Sequence, residues 1–343
     1  MLAVLSQEEP SFLEGPGSPS NLPVGPHFWT NRNGHKLYAR AWLPSSPAAT
    51  KGVFAFVHGY SGHINGRSHF ATSLAAQGFA VVGYDMQGHG YSEGEHVYIE
   101  TYESLVEDQL EFLATLLHSG SQKALGKSQP GLVGLVPDGF DLSRAPLFVA
   151  GESMGGALAL LIAQRLSSAA DDARHPSAGR FRGAILCAPA IYGNLPPAPV
   201  VFFLKHFAVP LLPRTRMPAF LESVNFPELI WATEERRRNA AADQWGRPGG
   251  IGWGHTMRLG SAGALLQMTL DTQALLPAVA FPFLVLHDPE DGIIPFVGSQ
   301  QLIAQSASSD KRLVEIPDGL HDLITNAHER MVAAIVSWAA PRV

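Results

Sequence analysis

Residues 146–160 read Pro146-Leu147-Phe148-Val149-Ala150-Gly151-Glu152-Ser153-Met154-Gly155-Gly156-Ala157-Leu158-Ala159-Leu160. A short apolar run at 146–150 has the length of a buried strand. The apolar run at 157–166 has the length and spacing of a helix. Between them lies Gly-x-Ser-x-Gly, the spacing of a nucleophile turn at a strand-to-helix corner. Such a turn is too tight for a large residue on either side of the serine, and glycines therefore flank it. The helix that follows directs its N-terminal N–H groups and positive dipole end toward developing negative charge. The competing reading is a helix start capped by Ser153, with glycines used for close packing.

The rest of the chain supplies the setting for that turn. Residues 28–43 alternate around Asn33-Gly34, which predicts an antiparallel hairpin. Apolar runs at 52–57, 79–84, 183–187 and 283–287, with 312–316, read as further strands. Helical spacing marks 68–77, with Gly78 as its stop, and 101–117, with Thr101 as its cap. It also marks 261–276, 298–305 and 329–339. Strands alternating with helices predict an α/β fold, a mostly parallel sheet covered on both faces, whose ligands bind beyond the C-terminal strand ends.

Three stretches break the alternation. Residues 1–26 are rich in Pro, Gly and Ser and read as a loose leader. Residues 118–145, with many Gly, Ser, Pro and Lys, read as a surface insertion. Residues 190–258 carry many prolines and the aromatics Phe202, Phe203, Phe207, Phe220, Phe226 and Trp231, and they read as a helical insertion over the strand ends. The expected organisation is therefore a leader (1–26), a core (27–189 and 259–343) and a cap (190–258). Within the cap, 200–212 is strongly apolar. It either packs onto the core or presents an apolar surface to a lipid interface.

If Ser153 is a nucleophile, it needs a base, and the base needs an orienting acid, following in the chain order Ser, acid, His. After the strand at 283–287 stand Asp288, Glu290 and Asp291. Asp291 leads because Gly292 and the apolar pair Ile293-Ile294 follow it, which suits a turn tip that presents a carboxylate inward. Asp288 is the runner-up, and the plain alternative is an acidic turn that only caps the next helix. After the strand at 312–316 comes Asp318-Gly319-Leu320-His321-Asp322. His321 is the candidate base, and Asp322 suits a helix cap. The backbone N–H groups of Met154 and Tyr60 are the candidate oxyanion donors. His58, Gly59 and Tyr60 line the same loop and are candidate substrate contacts. His58 has a second reading, in which its side chain holds the loop by hydrogen bonding. His58, His63 and His69 match no zinc spacing, so no metal is expected. In the turn-rich stretch 85–92, Asp85 and Ser92 are expected to satisfy loop backbone groups.

Composition narrows the class. The 343 residues are 46% hydrophobic and 16% charged with a net charge of −6, which is globular and gives no reason to expect a nucleic-acid partner. Arg236-Arg237-Arg238 follows Glu234-Glu235 and reads as a solvated helix face. The single cysteine, Cys187, excludes an internal disulfide and fits a reducing, cytoplasmic setting; it reads as a small buried hydrophobe. Residues 1–5 lack the basic flank of a secretory signal, and no apolar run reaches membrane-spanning length.

Taken together, His58-Gly59-Tyr60, Gly88-His89-Gly90-Tyr91-Ser92-Glu93-Gly94, Gly151-Glu152-Ser153-Met154-Gly155-Gly156, Asp291 and His321 resemble the monoacylglycerol lipase family of α/β-hydrolases. The likeness runs from about Phe28 to the C-terminal helix. It implies a serine hydrolase that cleaves the acyl ester of a monoacylglycerol to fatty acid and glycerol, with Ser153, Asp291 and His321 as triad, Tyr60 and Met154 as oxyanion donors, no cofactor, and peripheral membrane contact through a mobile apolar cap. Two features depart from the family. Asp288 stands where relatives often carry glycine, and the cap, which selects the substrate, matches weakly. Lysophospholipases and phenolic-ester esterases share the scaffold. A non-catalytic small-molecule binder is the remaining alternative, and the intact Ser, acid, His order argues against it.

Overall fold

The computed structural model describes residues 27–118, 128–169, 177–193, 197–217, 227–244, 250–252 and 257–343. The expected leader at 1–26 lies outside the described residues, as do 119–127, Phe220 and Phe226.

Eight strands form one sheet: β1 (His27–Thr30), β2 (Lys36–Trp42), β3 (Gly52–Val57), β4 (Phe79–Tyr84), β5 (Leu147–Glu152), β6 (Phe181–Cys187), β7 (Phe283–His287) and β8 (Lys311–Glu315). Their order is β1-β2-β4-β3-β5-β6-β7-β8. The hairpin is antiparallel, β2 meets β4 antiparallel, and every pair from β4 to β8 is parallel. The apolar runs reflect burial of both faces. In β3, Val53, Ala55 and Val57 enter one core layer, while Phe54 and Phe56 enter the other. The first layer packs against α2 (Tyr102–His118), α3 (Met154–Ser168) and α8 (Leu259–Leu275), and the second against α1 (Ser68–Ala76) and α11 (His328–Ala339). A further helix, α9 (Val297–Gln305), sends Leu302 into the first layer.

Most predicted boundaries hold to within a few residues. β5 runs on through Gly151 and Glu152 because both pair with β6. The surface reading of 118–145 is corrected in its described part. Leu132, Leu135, Val136 and Leu142 are buried in the first core layer. The Gln129 amide accepts from Thr30 N–H and donates to Thr30 O, both at 2.8 Å. It thereby stands in for a neighbouring strand at the exposed edge of β1. Four scattered apolar residues carry neither helical nor strand periodicity, so a composition dominated by Gly, Ser, Pro and Lys hid them.

Within 190–258 the structure gives α4 (Ala198–Phe203), a π-helical turn (Leu204–Ala208), α5 (Val209–Leu211), α6 (Pro227–Ile230) and α7 (Glu234–Ala242). Of the two readings of 200–212, packing onto the core and an exposed apolar surface, the structure favours exposure for much of its apolar side-chain area. Phe202, Phe203, Phe207 and Leu211 are 59%, 58%, 50% and 75% exposed. Among the described residues, α8 meets this helical run: Val209 lies against Gly263 of α8, and Lys205 bonds Gln267. Arg236-Arg237-Arg238 is likewise not a purely solvated face. Arg236 donates to Asn326 Oδ1 at 2.9 Å and Arg237 to Trp231 O at 3.0 Å, leaving Arg238 exposed.

Candidate active site

Ser153 sits between β5 and α3 at φ 53° and ψ −122°, a conformation that costs a non-glycine residue on the order of 1–3 kcal/mol. Backbone bonds on both sides hold it there. Its N–H donates to Cys187 O at 2.9 Å, and its carbonyl accepts from Gly156 N–H at 3.0 Å and Ala190 N–H at 2.9 Å. The flanking glycines are required. A Cβ on Gly151 would lie 2.1 Å from Gly155 O, and one on Gly155 would lie 2.2 Å from Val57 O. The Ser153 side chain makes no cap bond, which removes the helix-cap reading.

The three residues singled out as nucleophile, base and acid converge. His321 Nε2 is 3.0 Å from Ser153 Oγ, and His321 Nδ1 is 2.8 Å from Asp291 Oδ2. Asp291 Oδ1 accepts from Ile293 N–H at 2.8 Å and Ile294 N–H at 3.0 Å. Burial opposes its charge, yet hydrogen bonds from His287 and His321 hold the Asp291 carboxyl well below the usual range. An ionised carboxylate only accepts. His321 Nδ1–H therefore donates to it, which leaves Nε2 as acceptor for the Ser153 hydroxyl. The runner-up Asp288 does something else. Its Oδ2 accepts from Leu320 N–H at 2.6 Å and its Oδ1 from Glu290 N–H at 3.0 Å. It shapes the loop that carries His321, in which Asp318 and Leu320 both have positive φ.

Gly59 backs directly onto the turn, since a Cβ there would lie 3.3 Å from Ser153 Cβ. Tyr60, next in the chain, anchors its phenol to Val97 O at 3.1 Å, and Met154 opens α3 beside the serine. His58 is corrected as a substrate contact. It is fully buried; Nε2 accepts from Met86 N–H at 2.9 Å and Nδ1 donates to Gly59 O at 2.8 Å. Burial pushes its pKa well down, so the ring is neutral and holds the loop. His63 and His69 go separate ways. His63 bonds Asp243 at 2.8 Å, and His69 stacks on His328. Asp85 accepts from Ile64 N–H and Tyr91 N–H, and Ser92 donates to Asp85 O, as expected of loop supports.

Two features were not foreseen. His287, at the end of β7, places Nε2 3.2 Å from Asp291 Oδ2 while Nδ1 meets Ser299 Oγ at 2.7 Å. It is a second imidazole behind the acid. Arg67 lies between the residues adjoining Ser153 and His321, pairing with Glu152 at 2.7 Å and Asp322 at 3.2 Å. A lone cation in the loop at 58–67, matched by acids beside the two candidate residues, was the available signal: buried charges come paired.

The sheet, the turn and the Ser–His–Asp alignment define a serine hydrolase of the α/β-hydrolase fold. Residues 48–136 and 138–328 match the family described as serine aminopeptidase, S33, and the chain belongs to that family. It is 26% identical over 316 residues to a monoacylglycerol lipase of Mycolicibacterium smegmatis, covering 91% of this chain and 95% of that one. It is 25% identical over 331 residues to the human monoglyceride lipase, covering 95% and 94%. A soluble variant of Saccharomyces cerevisiae monoglyceride lipase, solved with a substrate analog, superposes with a TM-score of 0.71 at 17% identity, covering 96% and 98%. The chain is thus a monoacylglycerol-lipase-like carboxylic-ester hydrolase. Among the described residues no helix is long and apolar enough to cross a membrane.

Proposed function

We propose that the protein hydrolyses monoacylglycerols to fatty acid and glycerol through an acyl-enzyme on Ser153. One observation carries the reading: Ser153 Oγ, His321 and Asp291 lie in line at 3.0 Å and 2.8 Å. His321 Nε2 takes the hydroxyl proton as Oγ attacks the ester carbonyl. Asp291 fixes the Nδ1–H tautomer and stabilises the imidazolium. The N–H groups of Tyr60 and Met154 receive the oxyanion, each contributing about 3–4 kcal/mol to lowering the barrier. The C–O bond breaks, and glycerol departs with the proton from His321. Water, deprotonated by the same imidazole, then attacks the acyl-enzyme; the bond from the acyl carbon to Ser153 Oγ breaks, His321 returns the proton to Oγ, and the fatty acid leaves. Each step uses only these groups and water, with no metal or organic cofactor called for.

The lipid preference rests on the exposed Phe202, Phe203, Phe207 and Leu211, a surface suited to peripheral contact with a lipid interface, and on the relatives named monoacylglycerol lipase. In this reading 190–258 is a cap over the strand ends. The test is a panel of monooleoylglycerol, oleoyl lysophosphatidylcholine, a phenolic ester and nitrophenyl butyrate, run with the natural chain and Ser153→Ala. The expected result is highest kcat/KM on monooleoylglycerol and a loss of about 10⁴–10⁶-fold in kcat for Ser153→Ala. Preference for the lysophospholipid or the aryl esters would transfer the assignment to those classes. Survival of activity in Ser153→Ala would overturn the mechanism.

A further inference from the structure

The residue after His321 is gripped from two sides. Asp322 is buried, and its Oδ2 accepts from Arg67 Nη1 at 3.2 Å and from the Trp231 indole N–H at 3.0 Å. Its Oδ1 accepts from Thr325 N–H at 3.1 Å, closing α10 (Leu323–Asn326). Arg67 also donates from Nε to Glu152 at 2.7 Å and from Nη1 to Thr325 Oγ1 at 3.3 Å. The guanidinium thus joins the residue before Ser153 to the residue after His321.

Trp231 brings in the other side, because it belongs to the 190–258 insertion. The backbone around it runs alongside the histidine loop: His321 N–H donates to Leu229 O and Asp322 N–H to Ile230 O, both at 3.3 Å. Asn326 reinforces the seam, donating to Ile230 O at 2.7 Å and Gly319 O at 2.8 Å while accepting from Ala232 N–H at 3.1 Å. The His321 backbone N–H therefore has its partner in the insertion and not in the sheet. Charge follows the same geometry. Burial opposes ionisation of Asp322, but Arg67 and the Thr325 and Trp231 donors outweigh it and hold its pKa below the ordinary value.

We propose that Asp322 is a positioning residue for the reaction: clamped by Arg67 on the nucleophile side and by Trp231 on the insertion side, it keeps His321 in register with Ser153. Two consequences follow. Residues 227–232 stay docked during turnover, so any opening of the insertion takes place elsewhere in it. The insertion also contributes to catalysis on every ester, including one too small to need a lipid surface. The inference rests on the proposed Ser153–His321 chemistry, in which an ångström of misplacement costs about 100-fold.

The experiment uses nitrophenyl acetate, a soluble ester, with kcat, KM and Tm measured for the full chain carrying Trp231→Phe, Asp322→Asn, Arg67→Met or Arg67→Lys. Trp231→Phe keeps an aromatic ring at this partly exposed position, removes the indole N–H and leaves Arg67 on Asp322, so it is the mildest of the four for the fold. The expected result is a kcat loss of about tenfold for Trp231→Phe and about 10–100-fold for Asp322→Asn, with KM within about threefold. The rate of Ser153 phosphonylation should fall in parallel, and Arg67→Lys should recover part of what Arg67→Met loses. Unchanged kcat per folded molecule in both Trp231→Phe and Asp322→Asn, whatever happens to Tm, would overturn the inference. Ser153→Ala separates the two failures. If it is inactive while those variants are unaffected, this inference alone falls; if it still turns over, the underlying mechanism falls first.

Discussion

Residues 198–211 and 227–242 both lie in the connection between β6 and α8 and meet the rest of the molecule in opposite ways. The first is apolar; among the described residues it lies against α8, and its Phe202, Phe203, Phe207 and Leu211 face outward. The second is polar. Thr233 caps α7 by accepting from Arg236 N–H, and Arg236 and Arg237 bond Asn326 and Trp231 O. Its backbone supplies acceptors to His321 and Asp322. Hydrogen bonds are directional and fix position to within a fraction of an ångström, whereas apolar contact fixes area and tolerates sliding. Under the proposed function, the polar stretch holds the catalytic geometry and the apolar one meets a substrate that arrives in a lipid surface.

Substitutions on the docked side should act on all esters alike. The largest effect falls at the acid. Asp291→Asn should lower kcat by about 10⁴-fold on monooleoylglycerol and nitrophenyl acetate equally, because the amide cannot favour the required tautomer or the imidazolium. Asp288→Asn should lose only about tenfold, since its amide oxygen can still accept from Leu320 N–H. A larger loss at Asp288 in steady-state kinetics would reverse the assignment of the acid.

The apolar stretch should behave differently. A fully buried phenylalanine is worth about 1.5–3 kcal/mol, and partial insertion of two rings corresponds to a loss on the order of tenfold in affinity. Phe203→Ser with Phe207→Ser should lower kcat/KM by that amount on monooleoylglycerol in vesicles, and far less on nitrophenyl acetate. Equal losses on both substrates would erase the distinction between the two stretches.

The smallest effect is with pH. Asp322 has a depressed pKa, so its contribution to docking is fully present above the unfolded value of about 4 and is lost as pH falls through that value toward the folded one. Burial raises the Glu152 pKa, so Glu152 takes up its proton earlier and offsets part of that loss. Amide hydrogen exchange should therefore quicken at 227–242 relative to 198–211 as pH drops from about 5 to 3. Parallel exchange in both stretches would contradict the polar anchoring of 227–242.

Much of this was legible in the chain because it rests on local rules. Continuous apolar runs gave β3, β4 and β7 to the residue, and Asn33-Gly34 marked the hairpin. Ser153, His321 and Asp291 emerged from turn chemistry and chain order. What escaped depends on distant pairing. Arg67 meets Asp322 across 255 positions and Trp231 meets Asp322 across 91, and neither spacing leaves a periodic trace. His287 reads as the last residue of a strand until the fold places Asp291 beside it. The exposure of Phe202, Phe203 and Phe207 stood in the sequence only as one of two open readings, because an apolar helix reads the same whether a partner covers it or not.

The most direct test of the account is fluorophosphonate labelling followed by peptide mass spectrometry on the full chain. The account predicts a single modified serine, Ser153, with labelling slowed by several orders of magnitude in His321→Ala. A label on another residue, or labelling of Ser153 at an unchanged rate without the imidazole, would contradict it.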